Sequence, residues 1–421
     1  MKKPLALPYR LTFLLLIVIV PSGMTRANEW TQFRGPLGSG IVPDASIPPK
    51  FTESDYNWSV PLNGRGHSSP VCWDNHVYIT IVPTDRPNTR ELRCIKIEDG
   101  STVWTHSHEF EAYRNHKFNT AASTTPAVDG DHIYLYAATE SGVLLQAINH
   151  EGTLAWERQW NGLAMEHGQA ASPILVNNTL IIANDQLNEG GGFIMGLERM
   201  SGKTLWEHPR VMEKASYSTP GTFPHPNTES GKQVVFVSMT NGFTSVDPDT
   251  GKILWEITPG FRSRSVSTPV YTNGVLFATV GSGGGGKDSL ALDLTSNPEK
   301  PETLYRLNKN IPYVPTPVAH NERIYLWQDG GILMCLDATS GEPVYEKRVT
   351  GNYFSSPILV GDHLWGFTRD ENGRVVVVKA GDDFEIVGEN ELNSPVFATP
   401  AVHDGTMFIR TDDSLISLGS P

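Results

Sequence analysis

A Ser/Thr-rich step into proline, followed each time by a short apolar run, recurs eight times along this chain. The copies read HSSPVCW at Pro70, STTPAVD at Pro126, AASPILV at Pro173, YSTPGTF at Pro220, VSTPVYT at Pro269, VPTPVAH at Pro317, FSSPILV at Pro357 and FATPAVH at Pro400. Successive prolines are 56, 47, 47, 49, 48, 40 and 43 residues apart. Self-similarity at such a period marks one supersecondary unit stacked on copies of itself. After each step, a turn such as DN, DGD, NG or NE leads into an alternating apolar stretch (HVYITIV, HIYLYAA, GVLFATV, RIYLWQD). Alternation bounded by turn residues is a strand signature. A third strand ends in an acidic or glycine turn, and a fourth carries a late aromatic: Trp104, Trp156, Trp206, Trp255 and Tyr345. Four strands per unit make one propeller blade, so the spacing predicts an all-β, eight-bladed β-propeller of four-stranded antiparallel blades.

The eighth unit lacks its fourth strand, because TMFIRTDDSLISLGSP after Pro400 supplies only a second and a third. Near the other end of the chain, YNWSVPL (residues 56–62) reads as an orphan fourth strand with Trp58 at the aromatic position. Pairing of the two would close the ring by an N-terminal strand and leave no open sheet edge. The predicted organisation is a signal peptide over residues 1–27, a lead-in over 28–55 and the propeller over 56–421.

These blades resemble the pyrroloquinoline-quinone-like repeat superfamily, which carries the same proline step and the late tryptophan after an acidic-glycine turn. The opening WTQFRGPLGSG (residues 30–40) also resembles the start of many secreted bacterial propellers of this group. The superfamily includes quinoprotein dehydrogenases and the propeller subunit of the outer-membrane β-barrel assembly machinery, so the resemblance implies the fold and leaves activity open.

Lys2, Lys3 and Arg10 precede the apolar run Phe13 to Val20, and Thr25-Arg26-Ala27 offers a cleavage site after Ala27. This is the pattern of a secretory leader, too short to span a bilayer, with an uncleaved anchor as the rival reading. Its removal takes away Lys2, Lys3, Arg10 and Arg26 and no acid, moving the net charge from −13 to −17. So acidic a surface repels nucleic acid and anionic lipid. The expected location is the periplasm or the extracellular space, with no transmembrane segment in the mature chain.

The superfamily's dehydrogenases hold their quinone between a tryptophan and a disulfide of adjacent cysteines, with a calcium ion. Cys72, Cys94 and Cys335 include no adjacent pair. Cys94 and Cys335 stand ten residues before the late aromatic, where other copies show Gly196 and Ser245, so the column reads as one requiring a small residue. Cys72 and Cys94 fall on the first and third strands of one blade, about 10 Å apart, too far for a disulfide. In VGSGGGGKD (residues 280–288), Gly281 and Gly286-Lys287 have the spacing of a phosphate-binding loop. Asp288 replaces the magnesium-binding hydroxyl and a strand follows in place of a helix, so the segment reads as a flexible loop. His106 and His108 share one side of a fourth strand on the outer surface, without the third ligand that zinc needs.

Propeller ligands bind in the loops leading into the first strands and in those joining second to third strands. Arg65, His67, Glu166, His167, Arg262 and Arg264 come from the first set; Gln186, Gln328, Asp329, Arg369, Asp370, Arg410 and Asp412 come from the second. Together they predict a mixed-charge mouth around the central channel, suited to a polar or anionic ligand, against the plainer reading of a solvated rim. Two functions follow. One is a non-catalytic scaffold for protein interaction or ligand binding, with a protein partner in the cell envelope and no cofactor. The alternative is a quinone- or sugar-dependent oxidoreductase, with pyrroloquinoline quinone as its disfavoured cofactor.

Overall fold

The computed structural model describes residues 29–113, 115–162, 167–186, 192–258 and 260–420, so the leader assigned to 1–27 lies outside the described residues. Eight sheets of antiparallel blade strands follow one another around a ring, laid down from the axis outward in chain order except for the outer strand of the eighth. The second blade is representative: Ala127–Val128, His132–Ala138, Gly142–Asn149 and Leu154–Asn161 lie side by side in that order. Its second strand is buried at every position, whereas the fourth alternates. A blade is pressed between two neighbours, so both faces of its middle strands are core; only the outermost strand meets water.

Closure occurs as the sequence predicts. Tyr56–Pro61 runs antiparallel to Ser414–Gly419, pairing Trp58 with Ser417 and Val60 with Leu415. First and last segments of the chain thus share one sheet.

At the axis, the residue before each proline explains the repeated motif. The backbone N–H of Ser69 donates to the Thr125 hydroxyl at 2.9 Å, that of Thr125 to Ser172 at 3.0 Å, and that of Ser172 to Thr219 at 3.0 Å. The series resumes with Thr268 to Thr316, Thr316 to Ser356 and Ser356 to Thr399, and Thr399 closes it by donating to the Ser69 hydroxyl at 3.1 Å. A hydroxyl at this position satisfies a buried N–H of the preceding blade, which an apolar side chain could not.

A second lock sits near the rim. The indole N–H of Trp58 donates to Ile97 O of the next blade, Trp104 to His150 O, Trp156 to Arg199 O and Trp206 to Pro248 O, at 2.7 to 3.1 Å. Tyr305 does the same through its hydroxyl to Ala338 O. Beneath the Trp156 ring lies Gly202, at φ +69°, where a Cβ would come within 2.6 Å of the indole. The turn glycine therefore serves both the positive φ and the stacking. Opposite the aromatic, at a register shift, stands the small-residue column: Cys94 faces Trp104, Gly196 faces Trp206, Ser245 faces Trp255 and Cys335 faces Tyr345. All three cysteines are buried free thiols. Cys72 packs in the layer between the eighth and first blades and Cys94 in that between the first and second.

Two expectations need correction, and the lead-in gains a structural role. The glycine-rich stretch is a tight hairpin: Val275–Ser282 and Gly285–Asp293 pair directly, with Gly283 and Gly284 at φ +61° and +81° making the turn. Two consecutive positive φ values suit a two-residue hairpin turn, and glycine adopts them without strain. His106 and His108 are half-buried and turned toward the next blade, beside Gly152 O and Gln146. The lead-in, finally, is an integral part of the ring. Trp30 O and Thr31 O accept the N–H of Cys72 and Val128, and the Gln32 side chain accepts that of Leu175, on the first strands of blades one to three. Arg34 then crosses the channel, fully buried, to Thr316 O, Pro317 O and Pro357 O. Ile41–Val42 adds a parallel strand to the inner edge of blade seven. Further along, Pro49 lies against Gly388, which holds the late-aromatic position of blade seven, and Phe51 stacks on Trp365.

The aromatic lock yields a stability prediction. Trp206 is buried and bonded to the next blade. Trp206→Ala should lower stability by about 3 to 5 kcal/mol in denaturant unfolding, through the cavity and the lost bond.

Candidate functional site at the channel mouth

The residues of the predicted mouth separate into a buried framework and a solvent-facing set. Arg410 belongs to the framework: it is 2% exposed and donates to Ser68 O, the Ser68 hydroxyl and Thr80 O, joining the last blade to the first. Burial without a hydrogen-bonded carboxylate brings its guanidinium down to about 9. Asp329 is buried too, its carboxylate accepting the N–H groups of Tyr313 at 2.7 Å and Val314 at 3.2 Å. Burial raises its pKa, with these backbone bonds working against the rise. Gln186 is buried, and Gln328 turns its amide oxygen back onto Gly330 N. Asp370 accepts two bonds from Asn352, and Asp412 is half-buried with its N–H on Pro395 O. Arg65 and Arg262 are exposed. Glu166 lies outside the described residues.

Around these, two clusters form. In the first, the Arg369 guanidinium lies over Phe354 at 4.3 Å and Phe118 at 5.0 Å, and Phe118 meets Phe354 edge-on at 5.3 Å. Phe397 continues the cluster, and His67 stacks on it at 4.5 Å. In the second, His167 sits between His116 (5.2 Å) and Tyr217 (6.2 Å), and Arg264 lies over the Tyr217 ring at 5.8 Å. The loop leading into the second blade joins them: Asn119 holds His167 O at 2.8 Å, while Phe118 reaches the loop that leads into blade seven. Cation–aromatic contacts of this kind help to fix the direction of an arginine side chain.

Sequence reasoning missed Phe118, Phe354, Phe397, His116 and Tyr217. A signal for three of them was present, since Tyr217, Phe354 and Phe397 each stand three residues before a repeat proline, as does His67. Phe118 and His116 belong to a long loop with no counterpart in the other copies.

His67 offers a titration test. Burial, then the charges of Arg410 and Arg65, hold its imidazole down to about 3. An unfolded histidine titrates near roughly 6.5. Between these values the unfolded chain binds a proton that the folded one refuses, so stability falls as the pH drops below about 6.5. His67→Phe, which keeps the stack on Phe397, should flatten this part of the pH dependence of the unfolding midpoint between pH 7 and 4.

Residues 52–221 and 310–383 match the family described as outer membrane protein assembly factor BamB. A curated relative of that name from Moranella endobia (strain PCIT) is 24% identical over 289 residues; the match takes in 65% of this chain, which spans 66% of the relative's length. Among solved structures, BamB from Moraxella catarrhalis superposes with a TM-score of 0.62 at 14% identity, covering 86% of this chain and 96% of that one. Quinohemoprotein alcohol dehydrogenase from Comamonas testosteroni superposes with a TM-score of 0.63 at 13% identity, covering 94% and 81%. The two structural likenesses share the fold alone. By the extent of the sequence match, the chain belongs to the BamB family of PQQ-like repeat propellers.

Proposed function

We propose that the protein is an exported, non-catalytic scaffold that presents its channel-mouth loops to a protein partner in the cell envelope. The observation that carries this reading is the Phe118–Phe354–Phe397 cluster with Arg369 and His67, which fills one side of the mouth with the protein's own side chains. Aromatic and arginine anchors of this type dominate the energetics of protein interfaces. Family membership points the same way, and the sequence-read leader supports a periplasmic or extracellular location. No helix among the described residues is long and apolar enough to cross a membrane.

The oxidoreductase alternative draws on the fold shared with a quinohemoprotein dehydrogenase. A flat tricarboxylated quinone needs a two-sided stack and a balancing cation. Cys72, Cys94 and Cys335 are buried in separate layers between blades and cannot supply the adjacent-cysteine half of that stack. Arg369 and Arg264 could orient carboxylates, but each already lies over the protein's own rings. The proposal therefore includes no resident quinone, calcium or other cofactor.

Affinity capture from the periplasm with mass spectrometry, beside a titration of the purified protein with pyrroloquinoline quinone and calcium, tests both readings. A stoichiometric envelope protein is expected, bound at least about tenfold more weakly by Arg369→Ala, as loss of an interface anchor predicts. Saturable one-site quinone binding with dye reduction, and no protein partner, would replace the scaffold with the enzyme.

A further inference from the structure

The ring is not equally fastened at every seam. Seven of the eight junctions carry the hydroxyl link at the axis, and the exception lies between blades four and five. There the Thr268 hydroxyl, which should accept the Thr219 N–H, is buried with no hydrogen-bond partner. The rim lock fails at the same seam. Trp255 gives its indole N–H to the Gln233 side chain of its own blade at 2.9 Å, and the corresponding turn of blade five, Leu294–Pro301, has no glycine. The N-terminal clasp fastens blades one to three and six to seven, and among the described residues makes no hydrogen bond to blade five. Blades six and seven also lack the standard aromatic bond, but there Arg34 and the added strand Ile41–Val42 tie them to the clasp. The family match, moreover, is interrupted between residues 221 and 310, the span of these two blades.

What remains at the seam is of two kinds. The layer between the blades is apolar, with Phe223, Val237, Phe243 and Trp255 against Leu276 and Leu290. Such contact is non-directional and tolerates small rotations. Among the described residues, buried directed bonds survive only on the mouth side; on the opposite face the seam is spanned by the solvent-exposed pair Asn227 Nδ2 to Glu299 Oε1 at 2.8 Å, with which water competes. Tyr217 N–H donates to Ser265 O at 2.9 Å, the Ser216 and Ser265 hydroxyls share a hydrogen bond, and Ser218 Oγ donates to Ser267 O at 2.8 Å.

We propose that the seam between blades four and five is the joint at which this propeller opens, hinged on the Ser216–Ser265 contacts and parting from the opposite face. The joint passes through the mouth, because Tyr217 leads into blade four and Arg264 into blade five. Opening therefore changes the spacing of that cation–aromatic pair, so the state of the joint is coupled to whatever binds there. Local opening below the global unfolding free energy is a general property of folded chains.

The native cysteines provide internal controls. Cys94 and Cys335 occupy the small-residue column facing the first–second and sixth–seventh seams; Cys72 lies in the eighth–first seam. Ser245 holds the same column in blade four, opposite Trp255. In the full-length Ser245→Cys protein under native conditions, thiol labelling followed by mass spectrometry should modify residue 245 about tenfold faster, or more, than the native three. Ala278→Cys, in the same apolar layer, should behave alike and guards against a local effect of losing the Ser245 hydroxyl. Thr268→Val should leave the melting temperature unchanged, whereas Thr125→Val, which strands the Ser69 N–H, should lower it. Labelling of Cys72 ahead of both engineered thiols, or of all sites at the single rate of global unfolding, would overturn the proposal.

Discussion

Everything in this molecule depends on how the inward edges of eight inner strands are satisfied at a crowded axis. A strand facing the centre of a ring has no further strand to pair with, yet its polar groups cannot remain buried and unpaired. The chain solves this at three positions around each proline. At seven of the eight junctions the N–H before the proline goes to the hydroxyl of the next blade; the proline has no N–H; and two residues after it, in blades one, two, three and seven, the N–H goes to the N-terminal segment. Proline also confines the residue before it to extended backbone, which holds the donor in a fixed direction. Ser/Thr-Pro is thus the composition that an axis of this kind requires.

The remaining architecture follows outward. Middle strands are core on both faces, so each blade shares an apolar layer with each neighbour, and register between neighbours is set by the late aromatic seated on a turn glycine. The bulge opposite each aromatic makes room for it, and that room exists only if the facing residue is small. Cys94 and Cys335 are there for their size. Their thiols, pushed up by burial to about 12, carry no nucleophilic character.

Local pattern made much of this readable. Eight steps gave eight blades, and the missing fourth strand of the last unit led directly to Tyr56–Pro61. Long-range placement was not readable. WTQFRGPLGSG could be seen as a recurring opening, but nothing in it says that Arg34 will lie across the channel with the space beside Gly40 filled by its guanidinium. At the mouth, charged residues drew attention because charge is conspicuous in a sequence. Arg410 and Asp329 turned out to brace the wall, bonded to backbone groups that only the folded ring brings near. The aromatics three residues before the prolines were in plain view, and their convergence on Arg369 depends on a loop whose path no repeat dictates.

The mouth loops are the proposed partner-binding surface, and in-cell photo-crosslinking tests that most directly. A photoreactive phenylalanine analogue is placed at Phe118 or Phe354 in the mouth and, for contrast, at Leu205 on the exposed outer strand of blade three. The account predicts one common cross-linked envelope protein from positions 118 and 354 and none from 205. Cross-links from 205 alone, or the same products from all three positions, would contradict it.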